Sequence, residues 1–174
     1  MSAALFTVLI ALAQATPAPV TDQEFETRCR DAVLDLHVFF EEWFNARIPD
    51  TPESLARFRD VLADDFEYIG AAGYRFKKAQ LFTSGTWPGH GFWTEEDRRG
   101  GQTRVENFEF RRISDTTAIA TWEYWQDERI GGEAEPKSRG RFDTGVFRLD
   151  PSKPKGIEWL HVQETLLPGM EPRQ

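Results

Sequence analysis

At 174 residues, the chain has room for one domain with a tail, and 40% hydrophobic with 13% aromatic content is enough to fill one core; a multidomain enzyme and a disordered chain are excluded. Its formal charge of -8 gives a phosphate backbone or an anionic membrane surface nothing to attract, so nucleic acid and stable membrane insertion are not expected. The single cysteine, Cys29, supplies no internal disulfide and no cysteine-rich zinc site, so packing has to hold the fold.

In chain order, Leu5 to Ala13 read LFTVLIALA, followed by Ala13-Gln14-Ala15 and the extended stretch TPAPV. An apolar run, a small-residue cleavage site and a mature start come in the order of a secretory signal peptide, and the run is too short to span a bilayer. The expectation is export, periplasmic or secreted, with residues 1–15 removed, a linker over 16–21, one folded domain over 22–168 and a tail over 169–174. Met1 to Ala4 carry no Lys or Arg, which keeps a cytoplasmic protein with an apolar tail as the alternative.

Thr21 with Glu24 has the spacing of a capping box and predicts a helix start. From there Phe25, Cys29, Val33, Leu36, Phe40 and Phe44 recur every three or four residues, giving one apolar stripe along a long helix that crosses a core. Asp50-Thr51-Pro52-Glu53 predicts a second helix, with Leu55, Phe58, Val61 and Leu62 buried and Asp64-Asp65 at its end. Phe66 to Ile69 read as a short strand closed by Gly70-Ala71-Ala72-Gly73, and Phe76 to Phe82 as a third, short helix. The period then changes from helical to alternating. Thr103 to Ile113, Thr116 to Gln126, Arg141 to Leu149 and Ile157 to Leu166 read as four strands, joined by connections too short for helical crossovers and therefore antiparallel. Helices first and an antiparallel sheet afterwards make the class α+β.

Four segments carry a family resemblance: Leu62-Ala63-Asp64-Asp65-Phe66, Ala120-Thr121-Trp122-Glu123-Tyr124-Trp125-Gln126, Phe142-Asp143-Thr144-Gly145-Val146-Phe147 and Trp159-Leu160-His161-Val162-Gln163-Glu164-Thr165. Together with the element order, over roughly residues 22–167, they resemble the nuclear transport factor 2-like superfamily, in particular its SnoaL-like members and the calcium/calmodulin-dependent kinase association domain. The resemblance implies a cone-shaped curved antiparallel sheet wrapped around the N-terminal helices, with a cavity at the open end. It also implies a pocket-lining position for Glu123, where the association domain has an arginine. Many relatives carry a histidine where Gln163 stands, so a histidine pair does not transfer. The superfamily includes isomerases, cyclases, dehydratases, ligand binders and oligomerisation modules, so fold alone does not give function.

Period-two alternation places Thr121, Glu123 and Trp125 on one side of their strand, and Trp159, His161, Gln163 and Thr165 on one side of the last. With Phe147 opposite Trp159 and no bulge, Gly145 faces His161, Asp143 faces Gln163, and Arg141 faces Thr165. Glu123 and His161 are the predicted catalytic pair, Glu123 as base and His161 or Tyr68 as polariser, in a pocket lined by Tyr68, Trp125, Arg141, Asp143, Trp159 and Gln163. The competing reading pairs Glu123 with an arginine such as Arg141 and gives His161 a structural hydrogen bond. His37 lies beside the helical stripe, within reach of the cavity but read first as a boundary histidine, and His90 in Trp87-Pro88-Gly89-His90-Gly91-Phe92-Trp93 is in a glycine-flanked loop, either a lid or a core plug. Three histidines on three segments have no metal-ligand spacing, no G-x-S-x-G elbow or phosphate loop occurs, and Cys29 falls on the buried stripe; no metal and no cofactor are expected.

Trp122 and Tyr124 alternate with Glu123, and Leu160, Val162 and Val146 oppose the His161 face. Such an apolar face is either covered by a homodimer through the sheet or is itself the inward face, with Glu123 and His161 turned to solvent. The functional expectation is a small-molecule pocket protein for an apolar or amphipathic ligand, with scope for cofactor-independent acid–base chemistry of the isomerase, cyclase or dehydratase kind. The alternative is a non-catalytic homo-oligomerisation or protein-interaction module.

Overall fold

The computed structural model describes residues 19–45, 47–49, 51–83, 102–128 and 137–169. The expected signal segment, the His90 loop and most of the expected tail lie outside them. Helix α1 runs Asp22–Phe44, and its first turn is closed by Thr21 Oγ1 accepting from Glu24 N–H at 3.2 Å. The Glu24 carboxylate takes Arg28 one turn on instead of reaching back, so only half of the expected capping box forms. Phe25, Cys29, Val33, Leu36 and Phe39 are buried along its length, and burial pushes the Cys29 thiol up to about 12, an inert packing group.

The second helical signal yields only α2, Ala56–Arg59, preceded by a turn in which Thr51 Oγ1 accepts from Ser54 N–H at 3.2 Å. Leu62 belongs to strand β1, Leu62–Ile69, rather than to that helix. The reason is visible in the burial: Leu62 and Ala63 are both buried, Asp64 and Asp65 are both exposed, and the register against the last strand shifts between Leu62 and Glu67. Two carboxylates in a row fit an irregular strand end better than a helix interior. The expected third helix is split likewise. Arg75–Lys77 forms β2, paired antiparallel to β1, and only Lys78–Thr83 is helical, as α3.

Strands β3 (Thr103–Arg112), β4 (Thr117–Glu128), β5 (Lys137–Leu149) and β6 (Ile157–Leu166) form the antiparallel meander, and β1 adds parallel to β6. The six-stranded order is β2-β1-β6-β5-β4-β3. Bulges bend this sheet around α1. One lies in β3 between Glu106 and Glu109, where Asn107 takes φ 50°, a left-handed conformation that asparagine tolerates. Another falls in β6, where Phe147 pairs with Trp159 but Val146 pairs with His161, leaving Leu160 as the extra residue. The α+β cone expected from the sequence is the observed architecture. Among the described residues no helix is long and apolar enough to cross a membrane.

The concave face carries the core. Trp122, Phe147 and Trp159 meet there, Phe147 and Trp159 edge to face with ring centroids 4.7 Å apart. Gly145 makes this possible: a Cβ on it would lie 2.6 Å from Phe147 and 3.0 Å from Trp122.

Candidate functional site

A cavity of about 40 Å³ opens between α1 and the concave face. Leu36, His37 and Phe40 of α1 with Phe58 of α2 form one wall; Phe66 and Tyr68 of β1, Trp122 of β4, Asp143 of β5 and Trp159, Val162 and Glu164 of β6 form the other. An aromatic box therefore encloses two carboxyl groups. Asp143 and Glu164 are cross-strand partners, so their side chains rise from adjacent positions of the same face.

Each polar group of the cavity has a distinct electrostatic situation. Asp143 is only 2% exposed, and its Oδ1 has no hydrogen-bond partner. Burial first, and the neighbouring Glu164 second, hold its carboxyl well above the usual range, against the pull of Arg141. Glu164 Oε2 lies 3.7 Å from Arg141 Nε, and that guanidinium sits over the Tyr124 ring at 5.7 Å. The Tyr68 phenol is also raised well above its ordinary value, by burial and then by Glu164.

His37 is buried against Trp122 and Tyr124, with its ring centroid 4.4 Å from that of Tyr124. Trp122 Nε1–H donates to His37 Nε2 at 3.0 Å. An indole nitrogen only donates, so Nε2 is bare and the imidazole proton is on Nδ1. Burial lowers its pKa to about 3 and keeps the ring neutral. The cavity thus offers a buried carboxyl biased toward its protonated form, a second, partly exposed carboxyl beside an arginine, a phenol and a buried neutral imidazole. Such a set can give and take a proton without a cofactor. Among the described residues no three His, Cys, Asp or Glu side chains group as metal ligands.

The predicted site residues divide between the two faces. Tyr68, Asp143 and Trp159 line the cavity, and Arg141 reaches it through Glu164. Glu123, Trp125, His161 and Gln163 lie on the convex face, where Glu123 Oε2 accepts from Trp125 Nε1–H at 3.1 Å and Arg104 covers the Trp125 ring at 4.9 Å. His161 stands in register with Val146 and Glu67, not with Gly145, and Asp143 faces Glu164, not Gln163. The physical reason is the bulge at Leu160, which reverses the in-out alternation for the rest of β6. Arg141 likewise pairs in register with Leu166 rather than Thr165, and is partnered by Glu164 rather than Glu123. Trp122, Tyr124 and Val162, offered by sequence either as a surface for a second subunit or as the inward face, are the inward face and pack in the core.

Glu164 was missed by sequence reasoning, and His37 takes the cavity position that the sequence left as the second choice to a boundary histidine. A signal for the inner face did exist, in the large aromatic residues flanking Glu123; none marked the bulge.

No family model and no curated protein matches this sequence. Solved structures do. An NTF2-like protein of unknown function from Pseudomonas aeruginosa superposes with TM-score 0.61 at 18% identity, over 80% of this chain and 98% of that one. The CaMKII hub of S. rosetta gives 0.55 at 13% identity, covering 88% of this chain and 100% of that one. The hexachlorocyclohexane dehydrochlorinase LinA-type3 of Novosphingobium barchaimii gives 0.57 at 11% identity, over 88% and 99%. At these identities the likeness is one of fold. With its long N-terminal helix in the hollow of a bent, unclosed sheet, this chain has the nuclear transport factor 2-like fold.

Proposed function

We propose that the chain binds a small molecule in the cavity between α1 and β4–β6, and that the Asp143–Glu164 carboxyl pair performs acid–base chemistry on it. The observation that carries this reading is Asp143: a carboxyl 2% exposed, with an unpartnered oxygen, facing a second carboxyl inside an aromatic box. A carboxyl biased toward its protonated form by burial can act as a general acid, and the neighbouring Glu164, beside Arg141, is placed to take a proton as base. The acid–base role first given to Glu123 and His161 thereby passes to residues on the opposite face of the same sheet. A dehydrochlorinase among the structural neighbours accords with proton-transfer chemistry on this fold.

The test is a fragment screen by ligand-observed NMR on the full chain and on Asp143→Asn. Fragments that bind the native protein and lose affinity in the variant support the reading. Fragments that bind both equally, or none that binds, oppose it.

A second reading, homo-oligomerisation through the convex face, has its own support. Phe142 is 41% exposed there, on the same face as half-buried Ile119, Trp125 and Val146, and hub domains are among the structural neighbours. Light scattering of the native chain against Phe142→Asp decides it: a dimer that the variant dissociates supports the interface, and a native monomer removes it.

A further inference from the structure

Three buried polar atoms belonging to the cavity's lining side chains have no partner: His37 Nδ1, Trp159 Nε1 and Asp143 Oδ1. Buried polar atoms are nearly always satisfied, so three orphans around one cavity describe the molecule that completes it. Trp159 Nε1–H can only donate, and His37 Nδ1–H must donate because its other nitrogen is already occupied by Trp122. Asp143, held toward its protonated form by burial and by Glu164, offers a third donor.

A cation would answer Asp143 alone, leave both N–H groups unmet and sit near the Arg141 guanidinium. An anion would enter beside Glu164, whose charge already faces Arg141 at 3.7 Å. Space also discriminates: at roughly 10–15 Å³ for a water, 40 Å³ admits the polar end of a molecule some three or four heavy atoms in size.

We propose that the cavity takes a compact, uncharged ligand bearing a hydrogen-bond-accepting oxygen, a small ketone, aldehyde or amide, anchored by the Trp159 indole N–H. This rests on the reading of the cavity as a ligand site and adds the ligand's class and its anchor. His37 acts beside Trp159 as a second donor whose tautomer Trp122 fixes.

The test is a titration of the ¹⁵N-labelled full chain, following the indole N–H resonances of Trp159 and Trp122, with acetamide, sodium acetate and methylammonium chloride as probes. Acetamide should shift the Trp159 resonance saturably, and neither ion should match it. In Trp159→Phe, read at the Trp122 indole, acetamide should bind about fivefold more weakly, the worth of one hydrogen bond. An unchanged affinity in that variant overturns the anchor. Saturation by acetate or methylammonium but not by acetamide overturns the uncharged class while leaving a ligand site in place. No movement of either indole with any probe overturns the class and the ligand site together, and this titration needs no variant to fold.

Discussion

The two faces of one sheet carry acidic residues in different physical states. On the convex face Glu123 accepts from Trp125 in partial contact with water, with the Arg104 guanidinium over that indole. On the concave face, one residue along β5 and β6, Asp143 and Glu164 sit among Phe66, Tyr68, Trp122 and Trp159, where desolvation favours the proton on Asp143. Residue type does not distinguish the two sets; dielectric surroundings do. A carboxylate in water spends its charge on solvent, whereas one walled by rings must find a proton, a partner or a ligand.

The sharpest break between the faces comes from exchanging their tryptophans for alanine. Trp122→Ala removes the largest fully buried ring among the described residues, strips His37 of its hydrogen bond and should cost about 3–5 kcal/mol in urea unfolding. Trp125→Ala on the convex face should cost about 1 kcal/mol or less. Equal losses would mean that the faces do not differ in packing.

The next contrast is in pH dependence. His37 has its folded pKa lowered to about 3 from 6.5, so its stabilising contribution is complete above 6.5 and is lost as the pH falls toward 3. That acid limb should approach about 1.4 kcal/mol per pH unit and should flatten in His37→Asn. Asp143 runs the other way: its folded pKa is raised, so its contribution is complete below 3.8 and is lost as the pH rises through the elevated value. Asp143→Asn should therefore flatten the alkaline side of the profile. Urea midpoints across pH 4 to 9 check both.

Smaller still is Gly145→Ala, whose new methyl would meet Phe147 at 2.6 Å and should cost about 1–3 kcal/mol by overpacking. The least effect is expected from Glu123→Gln, within about 0.5 kcal/mol in stability and without change in fragment affinity at the cavity. A large loss of binding in that variant would return the convex face to consideration.

Much of the fold was legible because its signals are local. The hydroxyl of Thr21 caps α1 as its spacing predicts, and β6 runs Ile157–Leu166 where the alternation placed it. The boundary at Leu62 was not, since a buried Leu-Ala pair followed by two aspartates satisfies a helix end as well as an irregular strand. The site was half legible. Tyr68, Asp143 and Trp159 reach the cavity, but Glu164 was hidden because alternation counted from Trp159 selects odd positions. Leu160 breaks that count with neither a glycine nor a proline to announce it, and only pairing with β5 and β1 fixes the shift. His37 read as a boundary residue because the ring that claims its Nε2 lies 85 positions away.

The most direct measurement is a ¹³C NMR titration of the Asp143 carboxyl in the full chain, assigned with Asp143→Asn. The expected result is an Asp143 carboxyl that holds its proton well above the ordinary 3.8, while Asp64 on the exposed edge has already ionised below it. An Asp143 that ionises near pH 4 would contradict it, because the concave face would then treat its carboxyls as water does.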